Sequence, residues 1–387
     1  LMSAVQSERN TGLPSVDDLG FDPNILRRKY DEERDKRVRK DGNEQYAEIA
    51  GEFEKYSIDP YIEEKIERDP VHEEVDVAII GGGFGGLLVA ARLQKAGIMN
   101  FRIIEKAGDF GGTWYWNRYP GAQCDIESYV YMPLLEEVGY VPKEKYSYGP
   151  EILEHSKRIG KHFNLYPLAY FQTQVDTIRW VEANSRYTVE TDRGDVIKAR
   201  FVVMSSGPLN RPKLPGIPGV EKFKGHTFHT SRWDYDYTGG DSEGAAMTKL
   251  NDKRVGIIGT GATSIQCAPF VGKNAKHLYV FQRTPSSIDE RGNRPTDPEW
   301  AKSLKPGWQA ARNTNFCAIL SGIPQDEDLV NDGWTDLFKS LSKLLNNSDS
   351  GGLSSEDLAA MAEIGDYQKM NGIRSRVERS VEDSETA

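Results

Sequence analysis

Cysteine is scarce in this sequence. Cys124, Cys267 and Cys317 are the three in 387 residues, and none belongs to a Cys-x-x-Cys pair. So odd and sparse a set builds no disulfide framework and offers no zinc site, so no metal is expected. A reducing, cytoplasmic setting is the default. Long apolar runs are missing too: none approaches the roughly 20 residues that span a bilayer. The start, LMSAVQSERN, lacks the basic-then-apolar pattern of a signal segment. Positive charge is in deficit, with 49 Lys and Arg against 59 Asp and Glu, a net charge of -10. A general nucleic-acid binder would want a basic face, so that class is set aside. What is present is an ordinary globular balance, 28% charged and 38% hydrophobic. At about 150 residues per domain, the length suggests two or three domains of a soluble enzyme.

Residues 23–50 carry many opposite charges four apart, such as Arg27 with Asp31 and Glu33 with Arg37, and this spacing predicts a solvated surface helix. Residues 51–72 read as a short helix and a linker. At Val75 the character changes. VDVAII (75–80) is the continuous apolar run of a buried parallel strand. GGGFGG follows, then a helix-like run, then a second buried strand, FRIIEK (101–106). Residues 171–204 are β-rich with Asn-Ser and Arg-Gly-Asp turns, and they predict an antiparallel meander. RVGII (254–258), GTGATS, a helix and HLYVFQR (277–283) repeat the strand–glycine turn–helix–strand unit. Residues 298–381 are mostly helical in pattern, with a loop at NNSDSGG. The fold class expected is α/β: two dinucleotide-binding, Rossmann-like domains with an antiparallel β meander and a helical insertion. The domains are placed at 1–72, an N-terminal helical extension; 73–210, the first nucleotide domain; and 211–387, the second, with its insertion at about 298–381.

The first glycine set is Gly81-x-Gly83-x-x-Gly86. A dinucleotide pyrophosphate needs backbone N–H groups at close range and a helix N-terminus aimed at it, and side chains in that turn would block the approach. Glu105 follows 19 residues after Gly86, at the end of the next strand. A carboxylate there accepts from a ribose 2′-hydroxyl and repels a 2′-phosphate, which favours FAD or NAD over NADP. The second set, Gly259-x-Gly261-x-Thr263-Ser264, has serine in place of the third glycine. Arg283 stands where the first unit has Glu105, and a cation there suits the extra phosphate of NADP. One FAD and one NADPH on one chain describe a flavoprotein that takes hydride from NADPH. A disulfide reductase of this architecture would need a redox cysteine pair. A plain NADPH:flavin reductase and an oxygen-using monooxygenase remain.

Two further stretches bear on that choice. GGTWYWNRYPGAQCDIES (111–128) is crowded with aromatics and contains Asp125, a carboxylate expected to be buried. FKGHTFHTSRWDY (223–235) lies between the β-rich segment and the second nucleotide unit. Its Phe223-x-Gly225-x-x-x-His229-x-x-x-Trp233 resembles the fingerprint of type I Baeyer–Villiger monooxygenases, class B flavoproteins. The N- and S-oxidising flavin monooxygenases usually carry Phe or Tyr where Trp233 stands; they are the alternative, with the non-oxygenating reductase. The stretch Gly112, Trp114, Tyr119, Pro120, Gly121, Asp125 resembles the family's second motif, and the four motifs keep the family's order over about residues 24–387. The charged N-terminal extension is similar to that of the longer members, the polycyclic ketone and steroid monooxygenase-like group that acts on bulky ketones.

The resemblance implies an NADPH- and FAD-dependent reaction of a ketone substrate with O2 through a C4a-peroxyflavin, inserting one oxygen beside the carbonyl to give an ester or lactone. It implies that Gly81, Gly83, Gly86 and Glu105 bind FAD, with Gly112, Trp114, Asp125 and Tyr131 near the flavin. Gly259, Gly261, Thr263, Ser264, Arg283 and Thr284 would bind NADP. Asp125 would orient a catalytic arginine, and His229 and Trp233 would couple cofactor binding to motion, or simply pack. In the family the catalytic arginine comes in a Lys-Arg pair shortly after a helix similar to MNGIRSRVERSVED. No position here matches it, so it is expected beyond Ala387. The chain therefore reads as one piece of a larger protein, completed by a missing C-terminal segment, either cut away or present as a separate chain, and activity from these residues alone is not expected.

Overall fold

The structure is a computed structural model that describes residues 16–47, 49–336, 338 and 355–382. The chain divides into two units. One spans residues 41–282 and 293–306, and the other takes the remaining described residues.

Among the described residues, the first of these units has ten strands. They are β1 (Tyr46–Ala47), β2 (His72–Ile80), β3 (Phe101–Ile104), β4 (Ala169–Tyr170), β5 (Val175–Val181), β6 (Arg186–Thr191), β7 (Val196–Met204), β8 (Leu214–Pro215), β9 (Arg254–Ile258) and β10 (His277–Phe281). Six form one sheet in the order β4-β3-β2-β7-β6-β5. The strands from β4 to β7 along this order run parallel, and β7, β6 and β5 are antiparallel. The expected meander is present, and its last strand also pairs with β2. Meander and nucleotide strands are therefore one sheet.

The alternation of a strand decides the core. Val77 and Ile79 of β2 point to one face, where they pack with Leu87, Ala90 and Ala91 of the helix Phe84–Lys95 and with Phe101, Ile103 and Phe110. Ala78 and Ile80 point to the other, against Ile104, Val189, Ile197 and Ala199. Both faces are covered, which is why the sequence here is a continuous apolar run. β9 and β10 form a separate two-stranded parallel sheet. β1 pairs with β8.

The helix Phe84–Lys95 sits close to β2 because Gly86 has no side chain. A Cβ on Gly86 would lie 1.9 Å from the carbonyl oxygen of Gly81. The second glycine turn, in the same unit, has Ser264 at the equivalent position of the helix Ala262–Asn274, where it is buried.

In the other unit, the helix Pro23–Arg37 starts at Asp22, whose carboxylate accepts from the Asn24 N–H at 2.8 Å. Glu33 and Arg37 pair at 2.6 Å, as their spacing predicts. Arg27 instead pairs with Glu363, on the helix Ser355–Ser380. The helix expected over 23–50 stops at Arg37. Val38 is extended, and Gly42, at φ +48°, opens a 3-10 turn that leads into β1. The insertion is helical at Trp308–Leu320 and Ser355–Ser380, and at Pro298–Ser303, which belongs to the unit with residues 41–282. The NNSDSGG loop lies outside the described residues.

A buried ion pair ties the segment before β2 to the meander. Asp195 has no exposed surface; it accepts from Arg68 Nη1 and Nη2 at 2.6 Å each, from the Val71 N–H at 2.8 Å and from Thr191 Oγ1 at 2.7 Å. Burial alone would raise its pKa, but these hydrogen bonds outweigh it and hold the value at about 2, below the usual 3.8. Asp195→Asn is expected to cost about 3 kcal/mol in denaturant unfolding at pH 7. The folded state binds this proton more weakly than the unfolded chain. The stabilisation is therefore full above about pH 4 and is lost as pH falls toward 2, where parent and variant should converge. The glycines give a second expectation. Gly86→Ala should lower stability by about 3 kcal/mol through overpacking. Gly261→Ala, with open space at its Cβ, should cost under about 1 kcal/mol.

Candidate functional site

A cavity of about 680 Å3 opens where β2 ends and the helix Phe84–Lys95 begins. Gly81, Gly83 and Gly85 line it, with Glu105, Gly112, Trp114, Tyr131, Ser205 and Arg232. The helix is capped by Gly83, with no side chain covering its first N–H groups. That leaves backbone donors and a positive dipole end facing the cavity, an arrangement that binds phosphate. Gly112, at φ +54°, brings the aromatic loop against this turn: a Cβ there would lie 2.7 Å from the Gly83 Cα.

Glu105 is 6% exposed, just past the end of β3. Its carboxylate accepts from the Gly82 N–H at 2.5 Å and from the Ala107 N–H at 2.7 Å. Burial raises its pKa, against the pull of those two bonds. The carboxylate thus clamps the glycine turn, and its further lone pairs remain able to accept from a ligand hydroxyl. The donors, the acceptor and a space a side chain would fill fit a dinucleotide.

Trp114 Nε1 donates to the Tyr131 hydroxyl at 3.0 Å, and the two rings meet edge to face. Phe84 also meets Tyr131 edge to face. Burial raises the Tyr131 pKa, so the phenol stays protonated and polarised in this apolar wall. The structure brings Gly81, Gly83, Glu105, Gly112, Trp114 and Tyr131 to one cavity, with Gly86 behind it in the helix. Asp125 is a correction. It is exposed and does not line the cavity. Its neighbours Ala122 and Cys124 are buried, and the chain bends outward at Asp125 between the Gln123–Tyr148 bridge and the helical turn Ser128–Tyr131. The buried carboxylate of this stretch is Glu127, fully enclosed at the start of that turn. An acidic residue directly before an aromatic helical turn was the available signal.

The second glycine turn opens the helix Ala262–Asn274, with Gly261 at its cap and Thr263 and Ser264 in its first turn. Gly259 has φ +104°. This unit is fastened to the aromatic loop by Gln266, which accepts from the Tyr119 hydroxyl and donates to the Gln123 carbonyl, each at 2.8 Å. No spacing in the sequence announces Gln266. β10 ends at Phe281, so Arg283 and Thr284 lie beyond it, exposed and in the other unit, where the Arg283 carbonyl accepts from Arg37 Nε.

His229 and Trp233 do not line the main cavity. Trp233 is buried beside a second space of about 510 Å3 and donates to Thr238 Oγ1 at 3.2 Å. His229 caps the short turn Thr230–Arg232: its Nδ1 accepts from the Ser231 N–H at 3.1 Å. Burial drives its pKa down to about 4, so the ring is neutral at pH 7 with its proton on Nε2. The three cysteines are free thiols. Burial pushes Cys267 up to about 12, which leaves it unreactive.

The family model described as pyridine nucleotide-disulphide oxidoreductase matches residues 78–312. The chain is 56% identical over 375 residues to "Baeyer-Villiger monooxygenase ATR8" of Stachybotrys chlorohalonatus, covering 97% of this chain and 60% of that protein. Among solved structures, it is similar to a polycyclic ketone monooxygenase from Thermothelomyces thermophila. There the TM-score is 0.84 at 40% identity, over 94% of this chain and 62% of that one. A structure of OTEMO in complex with FAD and NADP matches with a TM-score of 0.56 at 35% identity, over 66% of this chain and 46% of that one. The chain thus spans about 60% of the length of the curated relatives it matches. It belongs to the pyridine nucleotide-disulphide oxidoreductase family, in the branch whose relatives are named Baeyer–Villiger monooxygenases.

Proposed function

We propose that this chain carries the cofactor-binding part of an NADPH- and FAD-dependent Baeyer–Villiger monooxygenase acting on bulky or cyclic ketones. The observation that carries the reading is the cavity in which Gly83, Glu105, Gly112, Trp114 and Tyr131 converge on an uncapped helix N-terminus. The backbone donors of the Phe84–Lys95 helix would hold the FAD pyrophosphate, and Glu105 the ribose. Trp114 and Tyr131 would form the apolar, water-excluding wall. Gly259, Gly261, Thr263 and Ser264 would hold NADPH, with Arg283 and Thr284 reaching its 2′-phosphate. Bound FAD, reduced by NADPH, would supply the centre that activates O2 and transfers one oxygen to the ketone, giving an ester or lactone. Asp125, exposed, would orient the catalytic arginine, and His229 and Trp233 would act from the link between the nucleotide units.

The domain assignment follows the same reading: 1–72 as extension, 73–210 for FAD, 211–387 for NADP. We further propose that other polypeptide packs on this chain, covalently joined or as a separate chain. Phe201 and Met204 of β7, and Ile258 with Val280 and Phe281 of the small sheet, are exposed apolar residues that support it. Three free thiols support a reducing compartment, taken as cytoplasmic.

Two experiments test this function. Glu105→Gln replaces an acceptor that two backbone donors need, and it should raise the Kd for FAD about tenfold in a fluorescence titration. An unchanged Kd would remove Glu105 from the site. For the reaction, the chain together with the polypeptide that completes it is incubated with NADPH, 18O2, a fused-ring ketone and a thioether. Lactone carrying one 18O is expected. Sulfoxide without lactone would favour N- or S-oxidation, and NADPH consumption matched by H2O2 alone would favour a reductase.

A further inference from the structure

One buried charge has no part in the chemistry above. Arg232 is 5% exposed. Its Nε donates to the Ile58 carbonyl at 3.1 Å, and Nη1 donates to the carbonyl and Oγ of Ser231 at 2.9 and 3.1 Å. The guanidinium lies 3.9 Å over the Trp116 ring. Nη2 is buried and has no hydrogen-bond partner among the described residues. An enclosed guanidinium N–H with nothing to donate to is costly, and such an atom at a cavity wall marks a place where an acceptor arrives from outside.

The location narrows what that acceptor is. Arg232 stands between two spaces: it borders the one beside Trp233 and lines the dinucleotide cavity together with Glu105, Lys106 and Arg211. Desolvation first, and then the charges of Arg232 and Arg211, lower the Lys106 pKa, which puts these cations near one another at the ribose-side end marked by Glu105. Asp59 and Asp192 offset this only in part. Among the described residues, no carboxylate forms an ion pair with Arg232.

We propose that Arg232 is a dinucleotide-binding residue whose Nη2 donates to an acceptor on the adenosine half of the bound FAD, and that Ser231 and His229 are positioning residues that hold it there. Ser231 Oγ, which accepts from Arg232 Nη1, lies 2.7 Å from His229 Nδ1. His229 also caps the turn from which Arg232 projects. A neutral histidine outside the cavity thereby reaches the ligand through one serine and one arginine. The proposal rests on reading the cavity as the FAD site.

The test is titration of the apo chain with FAD and, separately, with ADP, read by fluorescence and calorimetry, alongside apo melting curves. Arg232→Gln is expected to weaken both ligands by about tenfold or more, measured well below its apo melting temperature, which should fall from the lost bonds to Ile58 and Ser231. If that variant does not fold, Arg232→Lys carries the test: it keeps the charge, loses the fork, and should weaken both ligands about fivefold. Ser231→Ala should weaken FAD about threefold at unchanged apo melting temperature, with Ser231→Thr restoring it. FAD affinity within twofold of the parent in the Arg232 variants overturns the proposal. Loss of FAD affinity with ADP unaffected overturns the adenosine assignment. A parent chain that binds neither ligand overturns the reading of the cavity itself, and this proposal with it.

Discussion

The missing side chain at Gly86 lets the Phe84–Lys95 helix come down onto the Gly81 carbonyl. Everything at the main cavity follows from that approach. It aims the free N–H groups of the first turn past the end of β2. It leaves Gly82 within reach of Glu105, whose carboxylate then stitches the turn to β3. It also presents a flat glycine surface on which Gly112 lands, carrying Trp114 with it. Small residues at one face of the helix, Ala90 and Ala91, continue the close contact along β2.

The two nucleotide units share this plan and differ in tightness. The first has sheet neighbours on both sides, two packed faces and a third glycine. The second has two strands, an exposed face and Ser264. Where the first helix has a glycine whose Cβ would meet the Gly81 carbonyl, the second carries the Ser264 side chain. Gln266 fixes the start of its helix to the aromatic loop of the first. A single amide thus places the two glycine turns in one frame.

Much of this was legible in the sequence because buried parallel strands are short unbroken apolar runs. VDVAII, FRIIEK and RVGII mark β2, β3 and β9 to within a few residues. The glycine spacings and Glu105 were readable for the same reason, since their chemistry permits few substitutes. What escaped depends on long-range contact. The charge spacing of residues 23–50 continues past Arg37, yet the backbone turns extended at Val38 and the helix ends there. Asp125 sits among aromatics in sequence and faces solvent in space, while Glu127 is enclosed. Arg232 reads as an unremarkable cation beside Trp233. Its meaning comes from Ile58 and Trp116, more than a hundred residues upstream.

The family's name speaks of disulphides, yet the thiols here are unequal in another way. Cys124 and Cys267 are enclosed and Cys317 is exposed on the helix Trp308–Leu320. One accessible thiol beside two enclosed ones is a ready-made attachment point. A maleimide dye would mark that helix alone, at a single stoichiometric site, without touching the enclosed thiols of the nucleotide-binding sheet region.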